Sequence, residues 1–366
     1  MLPWLDSGNP SSLHQEGRRA KAVLDEARET ISDALGCLFA EALFTSGGTE
    51  GANLALIGTA LQNADGPRKR ILLSSAEHHC VLGTRSTLEA LGYKVEWIPV
   101  DREARVDFQT LRDLIDDQVL IVSAMHANNE LGTLNPVEQI GELAHEFGAL
   151  YHCDAVQTFG KALPGGTEIF PKLSRLPVDI LTISAHKIGG PKAVGAIFIR
   201  AGVKLKPLVA GGGQEREVRG GTENVAGIVG FAAAVKTVTS RPFSPQVANP
   251  RDPFLSTLIS EGFVPTIDPL AGSEVLSTHA HVRLPGVDAE TMLIRLDREG
   301  VSASSGAACS SGSVEPSHVL LACGYSDAES KEGLRFTFSP STTVDEANEA
   351  ARIVASVGRE VKARRS

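Results

Sequence analysis

Seven short apolar runs recur between residues 41 and 200: EALFT, RILLSS, KVEWIPV, QVLIVS, GALYHC, DILTIS and VGAIFIR. Stretches of helical spacing separate most of them, at 50–61, 79–91, 107–116 and 136–147. One more helix is predicted over 17–36, where Val23, Leu24, Ala27, Ile31 and Leu35 recur at helical intervals. Short strands alternating with helices point to an α/β chain built on an open, mainly parallel sheet with helices on both faces.

The pattern changes near residue 240. SRPFSPQVANPRDP holds four prolines and reads as a connector. After it come a strand-like THAHVRL, a helix near 288–298, a strand-like GLRFTFS and a last helix. That last helix is predicted to start at Thr343, with Glu346 three residues on, the spacing of a capping box. The chain has 366 residues. At roughly 150 residues per domain, two or three domains are expected. The division predicted is a large domain over 17–239 and a smaller α+β domain over 240–366, joined by residues 1–16.

Charge and cysteine usage narrow the partners. The net charge of −9 argues against nucleic acid or an anionic membrane as the main partner, but leaves room for a local anion site. The five cysteines form no C-x-x-C pair, so free thiols in a reducing compartment are expected, with neither a disulfide framework nor a metal site. No apolar run approaches the ~18 residues of a membrane span. MLPWLDSGNPSSLH lacks a basic region followed by an apolar one, so it does not read as a signal peptide. A cytoplasmic protein is expected, with an organelle open if sequence precedes this N-terminus.

In open α/β sheets, ligands bind at the carboxyl ends of the strands. Polar residues gather there in this chain. Ser46, Gly47, Gly48 and Thr49 follow the first run. Glu77, His78 and His79 follow the second. His126, Asn128, Asn129 and Glu130 follow the fourth, Asp154 and Gln157 the fifth, and His186 and Lys187 the sixth. FTSGGTE has the make-up of a phosphate cradle, though a plain turn with Thr49 as helix cap would look the same. Lys187, just past a buried-looking strand and beside Ser184 and His186, suits a lysine of lowered pKa that forms a Schiff base. Asp154 suits the carboxylate under a pyridinium nitrogen, or a helix cap. These are the parts a pyridoxal phosphate site needs. His78 suits ring stacking or proton transfer, and Arg335 a bidentate grip on a carboxylate or an edge salt bridge.

SASSGAACSSGSVEP places Cys309 in a run of small and polar residues, far from any other cysteine that could pair with it locally. With Lys187, Asp154 and Cys309 together, the chain resembles the cysteine desulfurases of the class V aminotransferase group, PLP fold type I, in their long-loop form. The blocks that carry the resemblance include GNPSSLHQEGRRAK, FTSGGTEGANLAL, EHHCVL, MHANNELG, YHCDAVQTFGK, SAHKIGGPKAVG, GGGQEREVRGGTENV and SSGAACSSGSVEPSHVL. They run in family order from about residue 8 to 340.

The resemblance implies a role for each residue. Lys187 would hold pyridoxal 5'-phosphate covalently. Asp154 would pair with the ring nitrogen, Gln157 with the ring hydroxyl, and His78 would stack on the ring. Gly48, Thr49, Ser184 and His186 would bind the phosphate, and Thr222 would reach the phosphate of a neighbouring subunit, which implies a homodimer. Asn129 and Arg335 would hold the carboxylate of L-cysteine. Cys309 would take its sulfur as a persulfide, release L-alanine, and pass the sulfur to an acceptor protein such as a scaffold or sulfur carrier, as in iron–sulfur cluster biogenesis. Family members carry a strand and a pocket-lining turn ahead of the GNPSS block, whereas this chain starts almost at that block. Gly189 stands where the family has an aromatic residue, and 240–275 is shorter than usual. Two alternatives remain. One is a selenocysteine lyase or related C–S/C–Se lyase, which FTSGGTE, GGGQER and GTEN also resemble. The other is an inactive, truncated homologue acting as a partner protein.

Overall fold

The computed structural model describes residues 1–161, 163, 170–240, 249–306 and 315–364. Each of the seven apolar runs forms a strand: β1 (Ala42–Thr45), β2 (Arg70–Ser74), β3 (Lys94–Ile98), β4 (Val119–Ser123), β5 (Leu150–Asp154), β6 (Ile180–Ser184) and β7 (Gly195–Ile199). They make one sheet in the order β1-β7-β6-β5-β4-β2-β3. The pairs from β6 to β3 are parallel, while β7 runs antiparallel to both of its neighbours. A parallel pair needs a long crossover, and the helices supply it. β6 and β7 are joined without one, so β7 turns back.

In chain order the helices before the connector are α1 (Gln15–Leu35), α2 (Gly48–Asn53), α3 (Thr59–Gln62), α4 (His79–Leu82), α5 (Arg85–Ala90), α6 (Phe108–Leu114), α7 (Val137–Glu146) and α8 (Val225–Thr239). The expected helix at 50–61 is helical throughout, but a π-helical turn at Leu54–Gly58 joins α2 to α3. The expected helix at 79–91 is two short ones, α4 and α5. Sequence periodicity misses α8, because VAGIVGFAAAVKTVT is apolar on most of its circumference and shows no stripe. It packs on α1, and Trp4 packs against the same core.

Two apolar clusters cover the two faces of this sheet. One holds Leu24, Ile31, Tyr151, Phe159 and Phe231, and the other holds Leu54, Ile71, Ile121 and Ile197. Neighbouring strand residues fall in opposite clusters: Ile121 in one and Val122 in the other, Ile197 in one and Phe198 in the other. That alternation is the period-2 placement of side chains on a strand.

Beyond the connector lie α9 (Arg251–Ser260), β8 (Val264–Pro265), β9 (His279–Arg283), α10 (Ala289–Arg298), α11 (His318–Ala322), α12 (Asp327–Ser330), β10 (Gly333–Thr337) and α13 (Val344–Ala363). Among the described residues, β10-β9-β8 form a second, antiparallel sheet. Its core gathers Phe254, Phe263, Val282, Met292, Leu334, Phe336 and Val354. Thr343 caps α13 in the expected capping box with Glu346. No described helix is long and apolar enough to cross a membrane.

Candidate active site

The strand ends marked by polar residues in the sequence converge. β1, β2, β4, β5 and β6 each send residues into one cavity of about 300 Å³, and the second sheet closes its far side with Arg335. Gly48, Thr49, His78, Asn129, Asp154, Gln157, Ser184, His186, Lys187 and Arg335 all line it. Two of the residues expected at the site are not among them. Thr222 is exposed and lies away from the lining. Cys309 lies outside the described residues; Ser304 and Gly306, a few positions before it, line the cavity.

Lys187 and Asp154 are brought together by strand pairing. β5 and β6 are adjacent and parallel, with Asp154 opposite Thr182, so the ends of both strands open on the same side. Lys187 follows in a tight 3-10 turn, Ala185–Ile188, which Gly189 ends in the left-handed conformation. Burial lowers the pKa of the Lys187 amine, Arg335 adds to the effect, and Asp154 opposes it. Burial pushes the Asp154 carboxyl up to about 6, while the Val156 N–H and the Lys187 cation favour its charged form. The Val156 N–H donates to Asp154 Oδ1 at 2.8 Å. Beneath it, fully buried Glu77 accepts from the Met125 N–H, and burial together with the Asp154 charge keeps Glu77 protonated well above the usual carboxyl range.

His78 caps α4: its Nδ1 accepts from the Cys80 N–H at 3.2 Å. Burial lowers its pKa to about 4, with the neighbouring cations adding to the effect, so the ring is neutral at pH 7. The occupied Nδ1 places the proton on Nε2. At the β1 end, Gly47 rather than Thr49 is the N-cap of α2 and makes no side-chain cap, which leaves the Thr49 hydroxyl available. Ser184 Oγ and His186 Nδ1 are 2.8 Å apart.

The far wall is held by bonds between residues remote in sequence. Arg335 donates from Nη1 to the Asn129 carbonyl at 3.0 Å, and its backbone pairs with Ser304. Ser317 Oγ donates to buried Glu130, and His318 Nε2 lies 2.9 Å from the Glu77 carbonyl oxygen. Gly306 has φ +87°, and a Cβ there would lie 2.3 Å from Glu130 Oε2, so only glycine fits beside that carboxylate. Glu130 and His318 are cavity residues to which the sequence alone assigns no role. Both stand inside the blocks MHANNELG and SSGAACSSGSVEPSHVL, but nothing in their spacing distinguishes them from ordinary helix-start and turn residues. Asn129 Oδ1 is buried with no partner among the described residues, an acceptor that a ligand donor would complete.

A sheet open at its strand ends, with a lysine of lowered basicity, a buried carboxylate and an arginine around one cavity, defines a class of lysine-dependent α/β enzyme sites. The particular family is fixed by comparison. The aminotransferase class-V family matches residues 5–349, and the chain belongs to that family. It is 39% identical to "Cysteine desulfurase IscS" of Dictyoglomus turgidum, over 95% of this chain and 87% of that protein. It is 40% identical to "Putative cysteine desulfurase IscS 1" of Bacillus subtilis, over 96% and 91%. Among solved structures it is similar to a "NifS-like protein" (TM-score 0.86, 32% identity, covering 96% and 91% of the two chains). It is also similar to "SspA in complex with cysteine" (TM-score 0.79, 33% identity, covering 93% and 94%).

Proposed function

We propose that this chain is a pyridoxal phosphate-dependent cysteine desulfurase that converts L-cysteine to L-alanine and leaves the sulfur as a persulfide on Cys309. The observation that carries the reading is the placing of Lys187, Asp154 and Arg335 around one cavity by two different sheets. The residues present fit the cofactor: an amine of lowered basicity, a buried carboxylate, and hydroxyl and imidazole groups at the β1 and β6 ends. When bound, pyridoxal phosphate supplies an electron-accepting ring that weakens bonds at the substrate's α and β carbons.

The chain's own residues do the rest. Lys187 would join the cofactor, and its lowered pKa raises the share of neutral, nucleophilic amine. Asp154 would hold a proton at the ring nitrogen, and Gln157 would meet the ring hydroxyl. Gly48, Thr49, Ser184 and His186 take the phosphate. Neutral His78, with its proton on Nε2, would stack on the ring and move a proton. Arg335 and Asn129 would hold the substrate carboxylate, and Arg335 is bonded to the Asn129 carbonyl. Cys309 accepts the sulfur and passes it to an acceptor protein. Thr222, exposed on its own chain, reaches the phosphate in the partner of a homodimer. The compartment is the cytoplasm. The division at the connector, with residues beyond 240 as a small domain that carries Arg335 and the Cys309 segment, suits a substrate-side wall on its own core. Trp4 packs with the large core, so residues 1–16 are better assigned to the large domain than to the small one.

Purified protein given pyridoxal phosphate, L-cysteine and a reductant is expected to release sulfide and alanine in equal amounts, and Cys309→Ala to abolish both. Release from L-selenocysteine alone would replace this reading with a selenocysteine lyase.

A further inference from the structure

Cys80, the second residue of α4, is buried and lines the cavity. Each of its polar groups has a partner. Its N–H donates to His78 Nδ1 at 3.2 Å, and its carbonyl accepts from Asn53 Nδ2 at 3.3 Å. Its thiol donates to Asp154 Oδ2 at 3.9 Å, within reach of a large, weakly donating sulfur. The other carboxylate oxygen, Oδ1, takes the Val156 N–H. Cys80 follows β2 and Asp154 ends β5, with β4 between the two strands, so this contact forms with the large sheet. Burial first, then Asp154 and Glu77, push the Cys80 thiol well above its usual range, so at neutral pH it keeps its proton and acts toward the carboxylate as a donor.

We propose that Cys80 is a positioning residue for the reaction: its thiol holds the Asp154 carboxylate in its charged form while its amide holds His78, so one residue orients both groups that would meet the cofactor ring. The inference rests on the cofactor reading above. A donor to a carboxylate favours the charged form, so the Cys80 thiol works against the burial that pushes Asp154 up. The other groups around Asp154 come from three elements. The Val156 N–H in the turn after β5 and Lys187 in the turn after β6 also favour the charged form. Glu77 at the end of β2 and Cys153 in β5 are buried acids that Asp154 itself helps to keep protonated.

Cys80→Ala removes the thiol and keeps the amide that holds His78. The test titrates cofactor-free protein with pyridoxal phosphate at several pH values and compares the variant with wild type. Without the thiol the protonated form of Asp154 gains, so the midpoint at which affinity falls with falling pH is expected to move up by about 0.3 to 0.6 pH units. Affinity at pH 5.5 should then be ~2- to 3-fold below wild type, with the two proteins alike at pH 8. Cys80→Ser restores a donor and is expected to return the midpoint toward wild type. An unmoved midpoint in folded Cys80→Ala overturns the proposal, as does a loss of affinity that is equal at every pH, which is what a merely structural role would give. If Cys80→Ala does not fold, Cys80→Val, close in volume and without a donor, is read in the same way. A second measurement needs no cofactor. The infrared S–H stretch that Cys80→Ser removes is expected to rise in frequency as pH falls through about 6 and Asp154 takes up its proton. Wild-type protein that binds no pyridoxal phosphate at any pH overturns the cofactor reading and this inference with it; a normal wild type with an unmoved midpoint, or with an S–H stretch that ignores pH, overturns this inference alone.

Discussion

The two walls of the cavity are built differently. On the large-sheet side, the groups are fixed locally. Asp154 is held by Val156, His78 by Cys80 and Ser184 by His186, each two residues away in sequence. On the far side, three side-chain tethers span the chain: Arg335 to Asn129, Ser317 to Glu130 and His318 to the Glu77 carbonyl. The first wall forms wherever the sheet forms, whereas the second forms only when two cores dock. The cofactor wall should therefore keep its fold and its cofactor when the substrate wall is damaged, although Arg335 contributes to the lowered basicity of Lys187.

The largest effect is expected on the first wall. Lys187→Ala should reduce sulfide release by about 10⁴-fold or more, because the covalent link is lost. Residual turnover within tenfold of wild type would remove Lys187 from its role. Arg28→Ala attacks what supports that wall. Arg28 makes a buried, two-pronged pair with Glu215, whose carboxylate also accepts the Phe44 N–H in β1. Leaving Glu215 buried and unpaired should cost about 3–5 kcal/mol of stability, read by denaturant unfolding. Arg335→Ala acts on the second wall. It should raise KM for cysteine ~10- to 100-fold, the worth of charge-assisted bonds, with the visible absorption of bound cofactor unchanged. A lost cofactor spectrum would show that the walls are not separable.

Smaller still is Ser317→Ala, which leaves Glu130 without one donor and should cost about 1–3 kcal/mol in stability with little change in cofactor affinity. The smallest effect is one of pH. Below about 6 the Asp154 carboxyl of the cofactor-free protein takes up a proton, so cofactor affinity should weaken as pH falls through that value. Asp154→Asn should bind weakly and lose that dependence. Fluorescence titration of cofactor binding at several pH values reads both.

Much of the first wall is legible in the sequence, because strand-end residues are positioned by the strands before them. The runs ILLSS and DILTIS announce buried strands, and the residues just after each run must emerge at the sheet's edge. Arg335 is placed by resemblance and not by spacing. Its own strand gives it an edge position, and only docking of the second sheet turns it toward Asn129. Glu130 stands among the strand-end residues but its spacing assigns it no role, and His318 carries no local signal, since a helix-start histidine looks the same whether or not it faces a cavity.

The sequence by itself determined the alternation of strands and helices, the residues at each strand end and the class of chemistry those residues support. These depend on period-2 and period-3.6 burial, which are local. The tertiary structure alone decided the strand order, the reversal of β7, the closing of the cavity by β10 and the lowered basicity of Lys187. Each depends on desolvation and charge brought from distant parts of the chain, and a linear pattern does not record which remote groups will share one low-dielectric space.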